Sequence, residues 1–173
     1  MDIVKILHLR GIFRFCALFL VNKVYAGVKP KHFEKKRKLL NLCGCQIGEG
    51  TKIVAPITFY RPFKVGERCW IGKNFCINGN GLVTIGDNCD IAPDVIFSTG
   101  GHKIGTNERR AGEGEIYDIH VGDGNWICTR ATIQGPVEIG NGTVIAACAC
   151  VVHNVSDNTL VGGVPARLIK NLY

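Results

Sequence analysis

An aliphatic residue recurs every six positions over the last third of the chain, at Val121, Ile127, Ile133, Ile139, Ile145 and Val151. Four positions after most of these stands another small or apolar residue, at Ala131, Val137, Thr143, Ala149 and Val155, with Asn125 the exception. Upstream the same beat runs through Ile47, Ile53, Phe59, Val65, Ile71 and Ile77, slips by two residues, and resumes at Ile85, Ile91 and Phe97. A period of six is neither the 3.6 of an amphipathic helix nor the plain alternation of a half-buried strand. It predicts short flat strands joined by tight corners, three hexads to a triangular coil. Each aliphatic side chain would then point inward and stack on its equivalent eighteen residues along. Gly, Asn and Asp at the corners supply the positive φ that such turns need. The repeat therefore reads as all-β, a parallel β-helix solenoid.

Three stretches depart from the beat. Residues 1–46 form an N-terminal helical segment, with one helix expected from Ile3 to about Tyr25 and a second over Lys31–Leu42 carrying the basic run Lys35-Lys36-Arg37-Lys38. Such a segment either shields the open end of the solenoid or docks on a membrane surface or an anionic polymer. The solenoid domain spans 47–164, interrupted by a polar, glycine-containing loop at 103–120 that follows His102 and so frames a site. A turn at Gly162-Gly163-Val164-Pro165 leads into a C-terminal tail, 165–173.

Composition narrows the picture a little. The 22 glycines fit a chain of many corners, and a formal charge of +7 favours an anionic partner without choosing among phosphorylated ligands, nucleic acid and anionic membranes. Nine cysteines include the C-x-C pairs Cys43/Cys45 and Cys148/Cys150 but no C-x-x-C, which argues against a zinc framework. Most fall where the repeat wants a small apolar residue, so they are read as reduced packing residues of a cytoplasmic protein. The apolar run Phe15–Val21 is too short to span a bilayer, and no signal-peptide cleavage site follows it.

Specific motifs sit on this frame: Val121-Gly-Asp-Gly-Asn-Trp126-Ile and the closing Gly162-Gly-Val-Pro-Ala-Arg167-Leu-Ile-Lys170, with Ile85-Gly-Asp-Asn, Ala92-Pro93 and Ser98-Thr-Gly-Gly-His102 upstream. In these the chain resembles the hexapeptide-repeat acyltransferases over residues 47–170, most nearly the maltose and galactoside O-acetyltransferases and the related enzymes that decorate bacterial surface polysaccharides. The resemblance, not the period, implies a left-handed coil, since most parallel crossovers are right-handed. It also implies acetyl-CoA as co-substrate, no metal, no nucleic-acid partner, and a homotrimer with sites between neighbouring prisms.

By motif, His102 corresponds to the general base that takes the proton from the acceptor hydroxyl, work that imidazole suits near neutral pH. Asn78 and Asn80 match an acceptor-binding element, although either also reads as a corner residue. Trp126, Thr129 and Ala147 match positions along the donor groove, the last two one coil apart. Arg167 and Lys170 match the basic residues that meet the CoA phosphates. Val152 stands where the family often has Thr. A metal held by His102, His120 and His153 is a weaker reading, because no carboxylate obviously orients the ligands.

The expected function is O-acetyl transfer from acetyl-CoA to a sugar or surface-polysaccharide hydroxyl, directly and without a covalent enzyme intermediate. Serine, an amino sugar or a drug are the alternative acceptors, and a non-catalytic scaffold the alternative class. The expected place is the cytoplasm, with contact at the inner membrane face through the N-terminal helix.

Overall fold

The computed structural model describes residues 12–173. From Gln46 onward the chain winds through three parallel sheets, one per side of a triangular prism. Sheet A contains Gln46–Ile47, Lys64–Val65, Val83–Ile85, Ile119–Val121 and Val137–Ile139. Sheet B begins at Lys52–Ile53 and sheet C at Ile57–Phe59. Pairing follows the period: Ile47, Val65, Ile85, Val121 and Ile139 form one inward ladder, and Ile53, Ile71, Ile91, Ile127, Ile145 and Val161 the second. Phe59, Ile77, Phe97, Ile133 and Val151 form the third. All are buried and belong to one continuous core. Burying an aliphatic side chain contributes roughly 1.5–3 kcal/mol, so stacked ladders of this kind are the main stabilising term.

Sequence separation between paired strands reports each irregularity. Lys52 pairs with Trp70, Trp70 with Asp90, Asp90 with Trp126, and Trp126 with Val144. The first and last steps are single coils of eighteen. The second carries the two-residue slip, and the third an extra eighteen residues. Both insertions leave at the edge between sheets C and A, in successive coils. The longer one begins at Gly100, earlier than the sequence suggests, and is not an irregular loop. Gly100–Ile104 and Ala111–Ile116 pair as an antiparallel hairpin, which gives the excursion its own backbone hydrogen bonds.

Corners repeat too. Between sheets A and B, Gly50, Arg68, Asn88, Gly124, Gly142 and Asn158 all take positive φ. Just inside that edge, Thr51, Cys69, Cys89, Asn125, Thr143 and Thr159 are buried one above another. Asn125, the exception in the repeat, donates from Nδ2 to the carbonyls of Gly122 and Gly140, and its Oδ1 accepts from the Thr143 amide at 2.7 Å. A polar residue is wanted there because the turn leaves backbone groups that only a side chain can satisfy. All nine cysteines are free, and Cys45, Cys69 and Cys89 lie in the core.

The described part of the first helix, 12–19, passes into the π-helical turn Leu20–Val24, and the second helix is Pro30–Leu42 with proline in its first turn; residues 3–11 of the expected first helix lie outside the described residues. Both helices pack on the first coil. Val21 and Leu40 are wholly buried in the same core as Ile47 and Ile53. The first strands of the solenoid have no coil before them, so their outer backbone groups need partners. Asn22 accepts from the Ile57 amide and donates to its carbonyl, both at 2.9 Å, and Asn41 does the same for Ile47 at 2.8 and 3.0 Å. Each side-chain amide stands in for the missing strand. At the far end the tail is a strand: Arg167–Asn171 turns back and pairs antiparallel with Thr159–Gly162.

Candidate active site at two edges of the prism

Asn78, Asn80 and His102 come together at the edge between sheets C and A. They line an open cleft of about 480 Å³ with Ser98, Glu115 and Ile116, floored by glycines 79, 100, 101 and 114. Stacked insertions create it, the two-residue corner below and the hairpin above. Thr99 clips them together. Its buried hydroxyl donates to the Asn78 carbonyl at 2.8 Å and accepts from the Gly81 amide at 3.1 Å, while its amide donates to the same carbonyl at 2.7 Å. Gly79 sits at φ +94°, and a Cβ there would meet the Thr99 hydroxyl at 2.8 Å, so the corner requires glycine. The Asn80 carbonyl accepts from Arg61 at the rim, and the Asn78 side-chain oxygen accepts from the Cys76 thiol, which burial pushes up and keeps protonated.

His102 lies in the hairpin strand opposite Gly114, where an added Cβ would find open space. Its Nδ1 is 2.9 Å from the Gly112 carbonyl. A carbonyl can only accept, so Nδ1 carries a proton, and in the neutral tautomer the lone pair falls on Nε2. An imidazole held in one orientation beside an open cleft has the form required of a general base. Tyr117 braces the hairpin root: its hydroxyl donates to Glu115 at 2.6 Å, its amide donates to Thr99, and its ring lies against Gly101. The hydrogen bond to Glu115 raises the Tyr117 hydroxyl above its ordinary range.

Thr129 and Ala147 occupy the edge between sheets B and C, stacked as their spacing predicts. The Cys148 amide donates to the Thr129 carbonyl at 3.0 Å, and the Thr129 hydroxyl donates to Pro93 at 2.9 Å, which leaves its oxygen facing outward as an acceptor. Both residues are exposed, and Ala147 presents only a methyl group. Trp126 projects from sheet B beside this edge and is 55% exposed. Arg167 lines a hollow at the last coil with Val151, His153 and Asn171, and Lys170 follows in the same strand. His120 stands on sheet A and His153 at the C-to-A edge, one beside Glu138 and the other beside Asn154.

Within one chain the structure gathers the sequence-predicted residues into two groups, not one. His102 and the asparagines hold one edge, Thr129 and Ala147 the next, and the width of sheet C separates them. Thr99, Tyr117 and Glu115 escape the sequence reading because they act through contacts made only when the hairpin folds back. Alternate glycines at Gly112 and Gly114, with the pair Gly100-Gly101, are the signal that marks those strands.

Comparison with known proteins agrees with the repeat and the fold. The family profile described as "Bacterial transferase hexapeptide (six repeats)" matches residues 118–153. The galactoside O-acetyltransferase of Escherichia coli K12 is 33% identical over 149 residues, 83% of this chain and 71% of that protein. WcaF of the same strain, whose name assigns it to colanic acid biosynthesis, is 28% identical over 134 residues, 76% of this chain and 72% of that protein. A hexapeptide-repeat acetyltransferase from Vibrio cholerae O1 biovar eltor, solved with acetyl coenzyme A, superposes with a TM-score of 0.80 at 25% identity, covering 99% of this chain and 91% of that one. The chain thus belongs to the hexapeptide-repeat acetyltransferases, enzymes built on the left-handed parallel β-helix that take their acyl group from coenzyme A.

Proposed function

We propose that the protein transfers an acetyl group from acetyl-CoA to a hydroxyl of a sugar or surface polysaccharide, with His102 as general base. The observation that carries this reading is the imidazole pinned through Nδ1 to the Gly112 carbonyl, in the cleft that holds Asn78 and Asn80. Nε2 accepts the hydroxyl proton as the oxygen attacks the thioester carbon. The tetrahedral adduct collapses, the C–S bond breaks, and the imidazolium returns the proton to the CoA sulfur. No thiol in the cleft competes as nucleophile: Cys76 is held protonated, and Cys69 and Cys89 are buried in the core. The amide groups of Asn78 and Asn80 suit a polyhydroxyl acceptor, because they donate and accept without charge.

On this reading one site draws its two edges from two chains. Sheet C lies between the acceptor edge and the donor edge, and its outward residues Cys76, Ile96, Thr132 and Cys150 are uncharged and half-buried. Turning that face toward a threefold axis sets the His102 edge of one chain against the Thr129 and Ala147 edge of the next, a heterologous contact that closes as a ring. Arg167 and Lys170 then serve the phosphates of a CoA lying along the groove. The relatives named for galactoside and colanic acid chemistry support a saccharide acceptor.

CoA release from acetyl-CoA, measured against a panel of mono- and oligosaccharides, tests the reading. Acceptor-dependent release should fall by about 10²–10⁴ in His102→Ala while acetyl-CoA still raises the melting temperature. Full turnover in the variant would remove the base. Release with serine or an amino sugar alone would move the acceptor.

A further inference from the structure

The first helix buries Ala17 and, in its last turn, Val21 against the first coil, and it is apolar on the opposite side as well. Two of its polar side chains turn to the protein: Arg14 donates to the Tyr60 carbonyl and Asn22 pairs with Ile57. Its outer side is apolar, with Ile12 58%, Phe15 73% and Phe19 54% exposed, and Phe13 and Val24 exposed beside them. Apolar residues scattered singly on a surface need no explanation, but a stripe with three phenylalanines on one short helix does. Cations are frequent in the same N-terminal segment. Lys23, Lys29, Lys31, Lys35 and Lys38 are all exposed at this end of the prism, where Glu34 is the one carboxylate of the second helix. Glu34 is already occupied by Arg37 at 2.7 Å and Lys38 at 3.5 Å. Residues 1–11 continue the composition in sequence, with Ile3, Val4, Ile6, Leu7 and Leu9 around Lys5 and Arg10.

We infer that this end of the molecule docks on a bilayer rich in anionic lipid, with Phe13, Phe15 and Phe19 entering the interface and the exposed lysines meeting the headgroups. An apolar stripe flanked by cations, on a helix lying across the end of a rigid body, is the pattern of interfacial attachment without spanning. No helix among the described residues is long and apolar enough to cross a membrane. Charge selects the occupant: a second copy docked end to end would bring its own lysines against these, whereas anionic headgroups neutralise them. The parallel chains of a threefold assembly would present three such ends on one side, so weak single contacts would add by avidity. Arg14 ties this helix to Tyr60, whose neighbour Arg61 bonds Asn80. Docking therefore sets the acceptor edge nearer the lipid than the Arg167 strand, a consequence that rests on the site reading above.

Co-sedimentation of the full chain with vesicles of phosphatidylcholine alone, or with phosphatidylglycerol added, tests the docking independently of turnover. The protein should pellet with the anionic vesicles at low salt and be partly released as salt rises. Phe15→Glu with Phe19→Glu should lower the bound fraction at least roughly tenfold, and Lys31→Glu with Lys35→Glu should remove the preference for phosphatidylglycerol. These side chains are exposed, so melting temperatures should hold. Absence from both pellets would overturn the inference, as would unchanged binding in the phenylalanine variant. A drop in oligomer size in that variant, without vesicles, would instead make the stripe an interface between copies.

Discussion

At Gly81 an added Cβ would run into the carbonyl oxygen of Tyr117, and the Thr99 Cβ lies 2.9 Å from the same point. Both neighbours belong to the root of the hairpin that carries His102, and the Tyr117 carbonyl is backbone that cannot step aside. Gly81→Ala should therefore destabilise the fold by about 1–3 kcal/mol and lower turnover by displacing the hairpin. Gly114→Ala, beside His102 but facing open space, should stay within about 0.5 kcal/mol of wild type. Thermal melts of the two variants check the contrast, and equal losses would show that the hairpin root yields. Candidate chemistry at this scale was legible where residue type carries it: an imidazole after Ser-Thr-Gly-Gly, and amides at a corner. The tautomer of His102 was not, since it depends on a carbonyl ten residues away that approaches only when the strands pair.

The second helix divides its basic run in a way that linear sequence does not show. A helix turns about 100° per residue, so four consecutive cations cannot share a face. Lys35 and Lys38 are exposed, Arg37 pairs with Glu34, and Lys36 is wholly buried, its Nζ donating to the Gly27 carbonyl at 2.8 Å and lying 4.7 Å from the Phe33 ring centre. Burial lowers the Lys36 amine from 10.5 to about 8. The unfolded chain then binds more protons than the folded one between those values, so stability rises with pH across that window. The cost of the buried charge is fully present below pH 8 and is relieved as pH approaches 10.5, by up to about 3 kcal/mol. Lys36→Met should lack this rise, so denaturant melts of both proteins from pH 7 to 10.5 should converge or cross. Parallel curves would mean that the amine is solvated. The element itself was readable from Pro30 and the periodic leucines, but which lysine it buries depends on how it lies against the first coil.

At the scale of the whole molecule, the separation of the two half-sites makes a stoichiometric prediction. On the proposed mechanism, His102→Ala and Ala147→Trp should each be inactive alone, one for want of the proposed base and the other for want of space for the donor. Mixed by co-refolding, they should recover activity, because a site formed between an Ala147→Trp chain and a His102→Ala chain has both an intact histidine and an intact groove. Random assembly would restore about a quarter of the sites. Failure to recover any activity, with mixed oligomers present, would place the complete site within one chain.

The hexad repeat by itself determined the prism, because a triangular coil buries its interior only if every sixth side chain is apolar, and each inward ladder bears this out. The same logic located both irregularities, as a two-residue slip between Ile77 and Ile85 and a polar stretch after His102. Only the tertiary structure decided that the two share an edge, since residues there are neighbours one coil apart and not along the chain. It also decided that the polar stretch is a hairpin, that the tail is a strand, and that Asn125 belongs to a buried polar ladder. Each follows from backbone groups left without partners at a corner, an insertion or an open end, a demand that exists only once the coil has formed.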